Sequence, residues 1–167
     1  MSSSVRVNTY THSVAHVTDN LLSGVKRIIL LSGLSLDKLV SDWASLERGI
    51  KTWLESKHLE SVTLEVYRPS NDSLVTRWDF DIDYTYSTGD DGDLWADTDA
   101  IKFAIKKAGE IPSTCTYRII LYTKSGRANV EGLVSCSSLS TEGFQKRAIG
   151  TTIGATHIGA AASYWTK

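Results

Sequence analysis

Three aspartates, Asp79, Asp81 and Asp83, are the first residues in this chain that invite a chemical reading. On a strand their spacing of two puts all three on one face, about 7 Å between successive carboxylates. An Asp-x-Asp pair of this kind holds magnesium in nucleotidyl-transfer enzymes. Those sites also need a Gly-Ser turn to position phosphate, and none is nearby. The acidic run at 87–93 fails as a calcium loop. With Gly92 at the sixth position the loop would begin at Ser87, with Gly89 third and Asp91 fifth, so two of three early ligands are missing. The three aspartates read instead as a solvated strand face that discourages edge-to-edge aggregation. Metal-dependent phosphoryl transfer at Asp79, Asp81 and Asp83 is the enzymatic alternative.

His12 and His16 stand four apart, as two zinc ligands on one helix face do, but the Glu of His-Glu-x-x-His is absent. They read as surface or partly packed histidines. Cys115 and Cys136 are too few for a disulfide framework and are not spaced as a metal site, which suits a reducing compartment. No nucleophile turn and no phosphate-cradling glycine loop follows a strand. The expectation is a chain with no catalytic residue, no metal and no cofactor. Formal charge is 18 − 19 = −1, so nothing pulls it as a whole toward nucleic acid or anionic membrane. Residues 1–6 lack a signal peptide's apolar core and no apolar run reaches membrane-spanning length, so a cytoplasmic protein is expected.

The elements that would carry these residues follow from hydrophobic spacing. Residues 1–11 are polar, either a disordered lead or a marginal edge strand. A wide stripe of Val14, Val17, Leu21, Leu22, Val25, Ile28 and Ile29 predicts a central helix from about Ser13 to Leu31, closed by Gly33. Leu39, Trp43, Leu46, Ile50, Trp53 and Leu54 predict a second from about Leu36 to Lys57, weakened at Gly49 and with room for a break near Ser41. The period then falls to two. Val62, Leu64 and Val66 alternate with Thr63, Glu65 and Tyr67; after a turn at Pro69-Ser70-Asn71-Asp72, a strand over Leu74 to Tyr86 points Trp78, Phe80, Ile82, Tyr84 and Tyr86 one way. Asp97 or Thr98 caps a third helix with Ile101, Ala104, Ile105 and Ala108 inward. The strand Tyr117 to Thr123 is apolar enough to be covered on both faces. This order predicts an α+β layer, three helices on one face of an antiparallel sheet, in one domain of 167 residues.

From Lys124 to Lys167 no regular period is visible. Six of the twelve glycines lie there, with Val130, Leu133, Val134, Leu139, Phe144, Ile149, Ile153, Ile158, Tyr164 and Trp165 spaced between them. Recurrent apolar anchors suit an extended wrapper better than a loose tail.

Several strings resemble HORMA domains. Thr76-Arg77-Trp78-Asp79-Phe80-Asp81-Ile82 is similar to the Arg-Trp-x-Phe-(Asp/Glu)-Ile strand of the spindle-checkpoint members, which are related to meiotic HORMA proteins. The whole chain resembles more closely the bacterial HORMA proteins of CBASS anti-phage operons. The strings are Tyr10-Thr11-His12-Ser13-Val14, Val17-Thr18-Asp19-Asn20, Ile50-Lys51-Thr52-Trp53-Leu54, Leu74-Val75-Thr76-Arg77-Trp78 and Ile105-Lys106-Lys107-Ala108-Gly109. The resemblance implies a HORMA fold with a flexible N-terminus over 1–11, a core over 12–123 and a C-terminal "safety belt" over 124–167. That belt takes two arrangements on a fixed body and, when closed, wraps a closure-motif peptide. The peptide would add as a strand along Tyr117, Arg118, Ile119, Ile120, Leu121, Tyr122 and Thr123. The later belt would pair beside the strand carrying Arg77, Trp78, Phe80 and Ile82. As partners the resemblance implies a cGAS/DncV-like nucleotidyltransferase, activated for second-messenger signalling, and a pachytene-checkpoint-type AAA+ ATPase that reopens the protein by its N-terminus. Nucleic acid would join only through that complex, and no membrane is implied. The competing non-enzymatic reading is a constitutive scaffold with a permanently docked tail.

Overall fold

The computed structural model describes residues 9–86 and 94–167; the expectations for residues 1–8 and for the acidic run at 87–93 lie outside them. Three helices, α1 (Thr9–Leu31), α2 (Asp37–Glu55) and α3 (Thr98–Ala108), lie with six strands: β1 (Leu59–Arg68), β2 (Ser73–Asp83), β3 (Trp95–Ala96), β4 (Thr116–Thr123), β5 (Gln145–Ala155) and β6 (Ile158–Thr166). The strands form one sheet in the order β3-β5-β6-β2-β1-β4, with antiparallel neighbours throughout.

Helix α1 is the centre of the core, as its wide stripe predicts. Val17, Leu21, Ile28 and Ile29 are fully buried, and the helix packs on α2, α3 and the β5–β6 hairpin. Its end is closed by Ser32 N–H to Ile28 O (3.0 Å) and Leu34 N–H to Ile29 O (3.0 Å) around Gly33. The helix starts at Thr9, so Thr9 to Thr11 are helical rather than an extended lead. Tyr10 explains why: its hydroxyl donates to Leu54 O at 2.6 Å, so the first turn is tied to α2. Helix α2 runs unbroken through Ser41, and α3 is capped by Asp97, whose carboxylate accepts from Ala100 N–H at 3.0 Å.

The β1–β2 hairpin turns where expected, with Asp72 in the left-handed region and Asn71 Oδ1 accepting from Ser73 N–H at 3.1 Å. Strand β2 stops at Asp83, leaving Tyr84 and Tyr86 beyond it. The two-residue β3 has no sequence signal; it is held by β5 pairing and by His16 Nε2, 3.0 Å from Trp95 O.

The tail is more ordered than its lack of period suggests: over 145–166 it is a hairpin whose second strand pairs beside β2, where the resemblance placed the later belt. Small residues hid it: β6 buries Gly159, Ala160, Ala162 and Ser163, which fit a packed sheet interior but give no apolar alternation. Its partner is β2, with Trp78 opposite Tyr164 and Asp81 opposite Ala161; the Trp78 and Tyr164 rings stack at 5.0 Å.

Candidate functional site

Strand β4 pairs with β1 on one side only, placing it at the margin of the sheet. Tyr117 and Ile120 are buried, while Arg118, Ile119, Leu121, Tyr122 and Thr123 are half-buried, so the expectation of full cover on both faces is corrected. An edge strand with a free row of backbone N–H and C=O groups is a template for one more strand.

The segment after β4, expected to be the belt, passes round that edge. Its first leg leaves β4 with Lys124 N–H donating to His58 O at 2.8 Å. It then runs along α2 in the reverse direction. Trp53 Nε1 donates to Ala128 O at 2.8 Å, and Arg48 Nη2 to Glu131 O at 3.2 Å. Two glycines make this approach feasible. A Cβ at Gly49 of α2 would stand 2.4 Å from Leu133 Cδ1, and one at Gly132 would stand 2.3 Å from Ser45 Oγ. Gly132 also has φ +90°, a conformation that L side chains rarely adopt. Gly49, read from sequence as a weakness in α2, is the seat for Leu133. Gly132→Ala is expected to cost about 1–3 kcal/mol and to speed amide exchange in the first leg, measurable by thermal unfolding and hydrogen exchange.

The second leg reaches the opposite face of the sheet, where a carboxylate waits. Glu65 of β1 is fully buried. Its Oε1 accepts from Arg118 Nε at 2.7 Å and its Oε2 from Leu139 N–H at 2.8 Å. Arg118 Nη2 donates onward to Ser137 O. Burial works against the Arg118 charge, but the hydrogen bond and charge of Glu65 outweigh it and raise the guanidinium above its ordinary value. Glu65 and Arg118 face each other across the β1–β4 ladder, so the belt is fastened to a pair the sheet itself aligns.

The three aspartates divide. Asp79, expected on a solvated face, is 4% exposed and takes three donors: Thr63 Oγ1 at 2.6 Å, Arg77 Nε at 2.9 Å and Trp165 Nε1 at 2.8 Å. Arg77 lies between the Tyr122 and Trp165 rings, 5.6 and 5.7 Å from their centroids. Asp81 is exposed; partial burial and the Asp79 charge push its carboxyl up, against the pull of Lys146 3.9 Å away. Asp83 accepts from both Thr85 N–H and Thr85 Oγ1, which hold its carboxyl down and make it a turn cap. Among the described residues no group of three or more His, Cys, Asp and Glu could hold a metal ion. Trp165→Phe removes one donor from Asp79 while Thr63 and Arg77 remain. A loss of about 1–2 kcal/mol is expected, read by denaturant unfolding in a double-mutant cycle with Asp79→Asn.

All of the predicted anchors except Val134 fall into three groups. Ile153, Ile158 and Tyr164 are buried in the main core. Val130, Leu133 and Ile149 pack against it half-buried. Leu139, Phe144 and Trp165 are half-buried without joining it: Leu139 is held by its backbone, Phe144 lies under Lys167 Nζ at 5.4 Å, and Trp165 is held through its indole N–H. Val134 is 88% exposed and is no anchor. It sits where the belt rounds the edge, on the rim of a groove of about 230 Å³ between β4 and the first leg.

A family model described as Bacterial HORMA domain 2 matches residues 2–167. The chain belongs to that family. Its HORMA fold is similar to a chain in the crystal structure of the mitotic checkpoint complex, with a TM-score of 0.69 at 11% identity, covering 93% of this chain and 98% of that one. It is also similar to C. elegans HTP-2 bound to a HIM-3 closure motif (TM-score 0.63, 12% identity, 99% of both chains). C. elegans HTP-1 bound to the HIM-3 closure motif gives 0.57 at 14% identity, over 80% of this chain and 72% of that one. Comparison with curated proteins finds no match. In this HORMA domain residues 124–167 supply the stretch that crosses α2 and β4 and then the β5–β6 hairpin of the sheet. The Glu65–Arg118 fastening and the Asp79 network were missed from sequence. A charged residue alternating with valine and leucine in β1 reads as outward-facing, and nothing local says that a distant segment covers it. Among the described residues no helix is long and apolar enough to cross a membrane.

Proposed function

We propose that this HORMA domain is a peptide-sensing adaptor that takes a closure-motif strand along the outer edge of β4 and holds it under the belt. The observation that carries this is the free edge of β4 enclosed by a segment fastened on both sides, to α2 by Trp53 and Arg48 and to the far face by Glu65. An added strand there makes about four to seven backbone hydrogen bonds worth roughly 0.5–1.5 kcal/mol each. Ordering its backbone costs about 1–2 kcal/mol per residue, so side-chain burial and the belt must supply the rest. HTP-1 and HTP-2 were each solved with a closure motif bound, which supports this reading.

The reading extends to anti-phage defence of the CBASS type. The closed, peptide-bearing form activates a cGAS/DncV-like cyclic-oligonucleotide synthase, and a pachytene-checkpoint-type AAA+ ATPase resets it through the N-terminus. The chain contributes surfaces rather than catalysis.

The test is selection of a random-peptide display library on the purified chain, followed by a pull-down with the synthase in the presence and absence of a selected peptide. Enriched peptides that protect the 117–123 amides from exchange, and a pull-down that depends on them, are the expected results. Absence of any enriched peptide sinks peptide sensing. A constitutive scaffold would elute as one form on ion exchange with or without peptide, whereas a switch gives two.

A further inference from the structure

The groove beside β4 has walls of distinct chemistry, and these say what it selects. On the α2 side Leu46, Trp53 and Leu133 converge with Ile119 and Leu121 of β4. Its volume, about 230 Å³, compares with apolar cavities of about 150 Å³ that hold a benzene-sized ring. Arg127 stands on the same side and also lines the groove. Its guanidinium lies over the Trp53 ring, 4.9 Å from the centroid, which orients the planar fork without consuming its charge. The hydrogen bonds it makes go to neutral acceptors, Ala128 O at 3.4 Å and Asn129 Oδ1 at 3.2 Å. Among the described residues no carboxylate pairs with it within 4 Å. A half-buried, oriented and unneutralised guanidinium beside an apolar pocket is a receptor for an anion attached to an apolar body.

Resting on the reading of β4 as a peptide-binding edge, we infer that the groove selects its segment by two side chains: a large apolar one seated against Trp53, Leu121 and Leu133, and a carboxylate that pairs with Arg127. Both recognising groups lie on the α2 side of the sheet. Strand residues alternate faces, so the apolar residue and the acid stand an even number of positions apart. The backbone pairing of β4 gives register and no sequence preference; these two contacts supply it.

The experiment is a random-peptide display selection on the full chain and on Arg127→Glu, Arg127→Gln and Leu133→Trp, each first shown to melt cooperatively. The full chain should enrich peptides with one large apolar position and an Asp or Glu an even number of residues away. Arg127→Gln keeps the side-chain stem over Trp53 and should lose only the acid preference, weakening acidic peptides roughly tenfold. Arg127→Glu should replace the acid by Lys or Arg in the enriched peptides, a swap that a purely structural arginine would not produce. Leu133→Trp fills the pocket and should shift the apolar position toward Ala or Val. Binding peptides without such positions, or acid enrichment that survives Arg127→Glu, would overturn the inference while leaving peptide capture standing. A selection with no binders from the full chain overturns both.

Discussion

Glu65→Ala should release the belt at its crossing point and destabilise the domain by about 3 kcal/mol. Breaking a buried pair by removing one partner costs about 3–5 kcal/mol; the lower end applies because the Arg118 side chain left behind is 32% exposed and can turn to water. The Leu139 N–H also loses its acceptor. The signature is local as well as global: amides around 137–140 should exchange far faster than the β1–β2 ladder, and denaturant midpoints should fall with little change in slope. The pair Glu65→Leu/Arg118→Met separates the two effects. Replacing both charges by apolar groups is often neutral for stability, yet neither can hold Ser137 or Leu139. A domain of near-normal stability with a loose belt is therefore expected. If its belt exchanges as slowly as before, Glu65 is structural only.

Ending the chain at Ser125 should unfold the whole domain rather than yield an intact body. The lost segment carries two of the six strands, and with them Ala155, Ile158 and Ala160 at zero exposure and Ile153 and Tyr164 nearly so. Each large apolar side chain contributes about 1.5–3 kcal/mol when buried, and domains are stable by only about 5–15 kcal/mol. The long outer edge of β2 would also be stripped of its partner. Loss of cooperative thermal unfolding and of native-like circular dichroism checks this; a truncated chain that melts cooperatively would refute it. On the proposed switch reading, opening would have to reseat the hairpin on other apolar surface rather than surrender it to solvent.

Periodicity made most of the body legible. The α1 stripe, the β1–β2 alternation and the cap at Asp97 each arise from neighbours within a few residues, and so did the helices and the hairpin turn. The hairpin at 145–166 was illegible from periodicity because Gly, Ala, Ser and Thr make up most of its buried positions, so no apolar alternation marks it. Only tertiary packing against β2 and α1 makes those small residues interior. Asp79 was misread, and Glu65 passed over, for a related reason: strand alternation tells which residues share a face, not whether something covers it. Their partners lie 74 and 86 positions away, at Leu139 and Trp165. The strand Tyr117 to Thr123 was located but its burial overestimated, since an apolar run does not reveal that it ends a sheet.

The two fastenings of the belt have a kinetic consequence. On the proposed reading, a segment lying along β4 would be enclosed by a loop tied at Lys124 to His58 and again at Leu139 to Glu65. Once folded structure lies on both sides of such a segment, it can neither slide out lengthwise nor lift off sideways. Its residence time is then the waiting time for a fastening to open, whatever its equilibrium affinity, and each 1.4 kcal/mol taken from that opening barrier shortens the wait about tenfold. Two cargoes of very different affinity would leave at the same rate, and an agent that opens the loop would set the clock for both.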